Sequence, residues 1–223
     1  MIILKKILAV FLKDLKSEFR TRYSATAVLL FVLTTVTMII FSLAAEKITP
    51  GVSAGILWIV LFFGSMTGLS KTFISEEERG TALLLKLNAE SYAVYFGKLI
   101  FNIILSLSIN IMAVLLFLLL VRGFGVSDLG GFSLVILLGS IGLAAATTII
   151  SSLIAKAGSK NALFPVLSFP ILLPLILLGI DATKYTITGI PSGNLSDDYR
   201  LMFAYSGILI TVSYFLFDIV WRD

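Results

Sequence analysis

The 223 residues are 58% hydrophobic and 13% charged, with a mean hydropathy of +1.06, whereas charged residues make up about a quarter of a soluble domain. Neither Cys nor His is present, which excludes disulfides, thiolate chemistry, the commonest metal ligand and the usual proton shuttle at neutral pH. The net charge of +4 comes mainly from basic residues beside apolar runs, where they set membrane orientation, so a nucleic-acid partner is not expected.

The first segment, residues 1–23, places Leu4, Ile7, Leu8, Phe11, Leu12, Leu15 and Phe19 at spacings of three and four. Lys5, Lys6, Lys13, Asp14, Lys16, Glu18 and Arg20 lie between them. One apolar stripe on a basic helix predicts an element lying in the membrane interface, its basic face toward anionic head groups. Lys13 and Asp14 interrupt the apolar run too early for the core of a cleaved signal peptide.

Six charge-free stretches follow: Ser24 to Ala44, Gly51 to Ser70, Leu99 to Val121, Phe132 to Ala155, Ala162 to Ile180 and Leu201 to Phe217. Each is long enough to cross, or nearly cross, a hydrocarbon core of about 30 Å, the last with help from Tyr199 and Trp221. The expected fold is therefore an all-α integral membrane protein, a single domain over 1–223 with six transmembrane helices behind an amphipathic interfacial helix. Of the 17 Lys and Arg residues, 13 fall in the segments that share a side with the termini, and 4 (Lys47, Arg122, Lys184 and Arg200) fall on the other. Positive charge is retained inside, so both termini are expected in the cytoplasm. The largest outer connection is then the loop Asp181 to Arg200, too small for a domain.

The largest inner connection is 71–98. Ser75 followed by Glu78 reads as a capping box, predicting a helix that starts at Glu76 with Glu76, Glu77 and Glu78 on its positive end. Leu83, Leu84, Leu85 and Leu87 follow as a cluster too short and too charged to span. This segment reads either as a docking element for a partner or as an amphipathic turn on the bilayer. Three consecutive helical carboxylates diverge around the axis, so no metal site is expected there.

Gly51 with Gly55, and Gly64 with Gly68, form two G-x-x-x-G patterns, and Gly139 and Gly142 lie in a small-residue stretch of the fourth span. All six predict close helix packing. Pro165, Pro170 and Pro174 each remove a backbone donor from the fifth span and predict a bent helix. No catalytic set emerges. The spans hold no His and no paired Asp, and Gly97-Lys98 does not complete a phosphate-binding G-x-x-x-x-G-K-[ST] loop. No buried ionisable groups are expected, which also argues against a membrane enzyme, and any ATP must be bound by another polypeptide.

Four segments in order, FLKDLKSEFR (Phe11 to Arg20), GILW (Gly55 to Trp58), GLSKTFISEEERGT (Gly68 to Thr81) and YFGKL (Tyr95 to Leu99), resemble the CcmB family. These proteins, also called haem exporter protein B, are the permeases of cytochrome c maturation. The sequence departs at Asn88-Ala89-Glu90, where a Pro-bearing turn would be expected. The resemblance implies a permease of an ATP-binding-cassette complex in the bacterial inner membrane, two copies working with two CcmA-type ATPases. It further implies CcmC, CcmD and the haem chaperone CcmE as partners, with ATP-driven release of loaded chaperone outside. No cofactor belongs to this chain on that reading; ATP sits in the partner and haem is cargo. Met38, Met66, Met112 and Met202 are expected to pack rather than bind iron. The resemblance makes Ser75, Glu76, Glu77, Glu78, Arg79, Gly80 and Thr81 the ATPase-coupling segment, with Gly80 permitting close approach or ending the first turn. It makes residues 1–23, with Phe11, Lys13, Asp14, Glu18 and Arg20, an elbow helix. Two other readings fit the same span pattern: an exporter permease for a lipid-linked glycan, drug or peptide, and a non-transporting assembly scaffold.

Overall fold

The computed structural model describes residues 2–21, 23–43, 48–121, 123–156, 163–189 and 195–222. The charges Arg22, Lys47, Arg122 and Lys160, which entered the orientation count, lie outside these residues. Among the described residues there are helices and turns and no strand, as a chain that must satisfy its backbone inside lipid requires. In order they are α1 (Ile2–Thr21), α2 (Tyr23–Leu43), α3 (Pro50–Leu69), α4 (Lys71–Glu78), α5 (Ala82–Asn88), α6 (Ser91–Leu120), α7 (Leu129–Lys156), α8 (Leu163–Thr188) and α9 (Leu195–Arg222). Six of them, α2, α3 and α6 to α9, are long and apolar enough to cross a membrane.

The helices run farther than the charge-free stretches. α6 begins at Ser91 rather than Leu99, so Lys98 lies inside it, and α8 and α9 reach Thr188 and start at Leu195, taking up most of the expected outer loop. Backbone hydrogen bonding continues into the polar ends of a helix, whereas a charge-free window stops at the first Lys or Asp. α8 continues through Pro170 and Pro174.

Local chemistry accounts for the boundaries. Thr49 caps α3 by accepting from the Val52 N–H at 3.4 Å, and Pro50 stands at the first helical position, where a missing N–H costs nothing. Ala89 is extended and separates α5 from α6.

α7 sits innermost, touching α6, α8, α9 and α4, and its stretch Leu143–Ile150 is wholly buried. α3 packs on α2, α6 and α8. Leu119, Phe41, Phe203 and Phe215 point outward, as expected where lipid is the solvent. Lipid supplies no hydrophobic drive between helices, so close packing and interhelical hydrogen bonds must hold the bundle. The Trp58 indole, fully buried, donates from Nε1 to Thr183 Oγ1 at 2.9 Å and ties α3 to α8.

The bundle has two polar ends. At one, here called the base, Ser91 donates to Asp218 at 2.6 Å and Lys156 Nζ donates to the Val220 carbonyl at 3.0 Å; α1 docks at this same end. At the other, the Ser127 and Asp128 amides donate to the Thr186 carbonyl at 3.1 and 3.0 Å. α1 and the end of α9 therefore share the base.

Candidate functional site

The base gathers α1, α4, α5 and the start of α6. α4 follows α3 across the single residue Ser70, itself right-handed helical, and is anchored by buried Phe73 and Ile74. It then stops where the capping-box reading expects a helix to start. Gly80 adopts φ +66°, its N–H donates to the Glu77 carbonyl at 3.0 Å, and the Thr81 N–H donates to the Glu76 carbonyl at 2.9 Å. This pair of bonds closes a helix C-terminus through a left-handed glycine. Ser75 lies within α4 and Glu76 to Glu78 form its last turn, so the three carboxylates sit at the negative end. The carbonyls of the continuing α3 helix accept from the amides that a capping box would otherwise satisfy, and Gly80 is the residue that can take the left-handed turn without strain.

The turn sorts the acidic residues by direction. Glu77, Glu78, Arg79 and Gly80 are exposed, and α5 beyond them exposes Leu83, Leu84 and Leu87. Glu76 turns inward. Its carboxylate accepts from Thr81 Oγ1 at 2.6 Å, pairs with Lys13, and lies 3.4 Å from Lys98 Nζ.

Lys98 is fully buried. Its ammonium donates to Asp14 Oδ2 at 3.0 Å and to the Thr72 carbonyl at 2.8 Å, and stands 4.8 Å above the Phe73 ring. Lys13 Nζ lies 3.3 Å from Asp14 Oδ1. Two cations and two carboxylates thus form a neutral quartet joining α1, α4 and α6. Burying a lysine is tolerable only with such pairing. Burial alone would lower the Lys13 ammonium, but Asp14 and the hydrogen bond to Glu76 outweigh it and hold it above its usual value.

α1 reaches Lys98 because Gly97 lets it. A Cβ there would press on Val10 and on the Ile7 carbonyl. The structure corrects two expectations here. The bundle does contain buried ionisable groups, and part of the polar face of α1, Asp14 with Lys13, is directed at the bundle rather than at head groups. Phe11 and Glu18 are half-buried, Glu18 accepting from the Ala25 N–H at 3.4 Å, while Arg20 and much of the apolar stripe, Leu4, Leu8, Leu12 and Phe19, are exposed. A cavity of about 650 Å³ lies between α1, α4, α5 and α6, with Ser17, Ser75, Glu78, Arg79 and Leu84 in its wall and Gly68 and Phe101 in its floor.

With this geometry in place, the chain can be set beside known proteins. The family model described as CcmB protein matches residues 5–218. The chain belongs to the CcmB family. No curated protein sequence matches it. Membership makes it a multi-pass membrane permease, a transporter component connected with haem and cytochrome c biogenesis rather than an enzyme. The four segments that carried the resemblance fall within the match, and three of them meet in the quartet: Lys13 and Asp14, Thr72 and Glu76, and Gly97 and Lys98.

The packing glycines of this CcmB chain divide. A Cβ at Gly68 would collide with Ile109, at Gly139 with the Trp58 indole, and at Gly142 with Leu175. Gly64 is in ordinary contact with Val32, Gly51 barely touches Lys184, and Gly55 faces open space. Gly179, not expected from the sequence, also makes room for Trp58.

Sequence reasoning also missed a polar stripe on α6. Lys98, Asn102, Ser106 and Asn110 recur every four residues and are all buried. Asn102 accepts from Thr72 at 2.8 Å and donates to Thr148 at 2.8 Å, and Asn110 accepts from Ser65 at 3.2 Å and donates to Ser140 at 2.9 Å. The spacing of four was the available signal, since it keeps side chains on one helical face. Among the methionines, Met66 and Met202 are buried in the bundle and Met38 is exposed.

Proposed function

We propose that this CcmB-family permease is driven by a separate ATPase subunit that docks on the α4–α5 segment, within an ATP-binding-cassette complex of cytochrome c maturation. The observation that carries this is the base itself: a short helix ended by Gly80 offers Glu77, Glu78 and Arg79 beside the exposed leucines of α5. A partner cleft with a basic rim and an apolar floor would complement it. On this reading the base faces the bacterial cytoplasm, α1 is the elbow, and two permeases work with two ATPases beside CcmC-, CcmD- and CcmE-type proteins.

The test uses the whole complex. Reversing Glu77 and Glu78 to Lys is expected to reduce ATPase co-purification at least tenfold and cytochrome c yield with it, while membrane insertion is retained. Unchanged ATPase binding and yield would refute the docking. Because the chain has no cysteine, single cysteines at Glu77 and Ser127 report orientation. Labelling of Glu77→Cys only from outside the cell would invert the arrangement.

Haem is read as cargo. Without His or Cys, only Met and Tyr could serve as axial ligands, and the burial of Met66 and Met202 suits packing. A haem-iron spectrum of the purified subunit that disappears on replacing one Met or Tyr would overturn this.

A further inference from the structure

We infer that Lys98 is a positioning residue that fastens α1 to the α4–α5 turn, so that the two move as one body at the base of the bundle. Three observations carry this. Lys98 is fully buried and spends its donors on Asp14 of α1, Glu76 of α4 and the Thr72 carbonyl. Lys13 of α1 closes the ring on Glu76, and Glu76 in turn holds Thr81, the residue after the left-handed glycine. Gly97 brings the α1 backbone close enough for the tie to form.

The chemistry suits a fastener better than ordinary packing. α1 exposes much of its apolar stripe, and at its centre it meets the bundle through Val10 and Asp14. A cavity lies between α1 and α5 beside the quartet, and the ionic links of the quartet run from α1 to Glu76 of α4 and Lys98 of α6, so α1 reaches α5 through the α4–α5 turn. A neutral set of two cations and two carboxylates does this without leaving a charge unpaired. Removing one member leaves another stranded in a buried place, which is why truncating such a pair disturbs far more than an exposed pair does.

The part played in transport depends on the ATPase docking proposed above; the fastening does not, and its test needs no ATPase. Spin labels on Lys16→Cys and Leu83→Cys, both exposed positions on α1 and α5, report the distance between the two elements in the full chain in lipid nanodiscs. A single narrow distribution is expected with Lys98 in place, and one at least twice as wide in Lys98→Met. The double variant Lys98→Met/Asp14→Asn leaves no unpaired charge. It is expected to recover thermal stability but to keep the wide distribution, since the tie is still missing. Should Lys98→Met fail to insert, the double variant gives the same reading by itself. A narrow distribution in Lys98→Met, or one restored by Asp14→Asn, overturns the inference, because the damage would then lie in stray charge and not in a lost link. Failure of the ATPase to bind the parent chain would refute the docking and leave this result standing.

Discussion

The Trp58 slot gives the sharpest energetic test of the bundle that carries the base. Gly139 and Gly179 leave room for the indole, and its ring nitrogen reaches Thr183 at 2.9 Å. In Gly179→Ala the new methyl would occupy space held by the six-membered ring of Trp58. Forcing an extra carbon into a packed interior costs about 1–3 kcal/mol, and a displaced indole also loses its hydrogen bond, on average about 0.6 kcal/mol between membrane helices. The sum is a destabilisation of about 2–4 kcal/mol. Trp58→Phe removes the same ring edge and the same bond, at about 1–2 kcal/mol by itself. The two changes should therefore not add, because phenylalanine vacates the space the methyl needs. A coupling of about 1 kcal/mol or more is expected in the double variant. Equilibrium unfolding in mixed micelles, followed by far-UV circular dichroism, measures all four members of the cycle. Gly179→Ala as stable as the parent, or strictly additive effects, would refute this account of the α3–α7–α8 junction.

Gly80→Ala must hold a left-handed conformation that costs about 1–2 kcal/mol, so hydrogen exchange at the Thr81 amide should quicken while the rest of the bundle is unaffected; Gly80→Asn should do so less. Asn110→Leu leaves the Ser65 hydroxyl without its acceptor and removes the link to Ser140, which keeps its bond to the Ile136 carbonyl; it should cost about 1–2 kcal/mol, read as a lower unfolding midpoint. Lys6 and Glu90 hydrogen-bond at 2.6 Å, which holds the Glu90 carboxyl below and the Lys6 ammonium above their usual values. Any contribution is then present at neutral pH and lost as acid protonates Glu90, yet water screens this exposed pair and Glu90→Gln should leave thermal stability unchanged.

Hydropathy was enough to find the six spanning helices, because lipid enforces long apolar runs. It failed at their ends. α6 gains the turns from Ser91 to Lys98 and α8 gains those to Thr188, since helices continue past the point where charge begins. The capping-box reading of Ser75 and Glu78 failed for a related reason. The same four residues suit either a helix start or a last turn, and only the continuity of α3 into α4 decides between them. Gly80 was legible as a place of close approach or the end of a turn, but not as the left-handed residue that closes α4. Lys98 was visible in the YFGKL segment and as the second half of an incomplete nucleotide-binding motif, but not as a buried ion-pair partner. Its partners lie 84 and 22 residues away, beyond the reach of any local pattern.

The stripe on α6 decides what kind of interior this bundle has. A water-lined path would turn polar groups into an open lumen, whereas here Lys98, Asn102 and Asn110 each bond to a side chain on a neighbouring helix. The stripe covers about 18 Å of helix and works as a seam between α6 and its neighbours on both sides. One end of that seam is the quartet. From there Thr72 of α4 bonds to Asn102, and Asn102 bonds to Thr148 of α7. A displacement of the α4–α5 turn is thus two hydrogen bonds away from the innermost helix, along groups shielded from lipid. On the docking proposed above, the exposed Glu77, Glu78 and Arg79 lie at one end of this hydrogen-bonded connection to the centre.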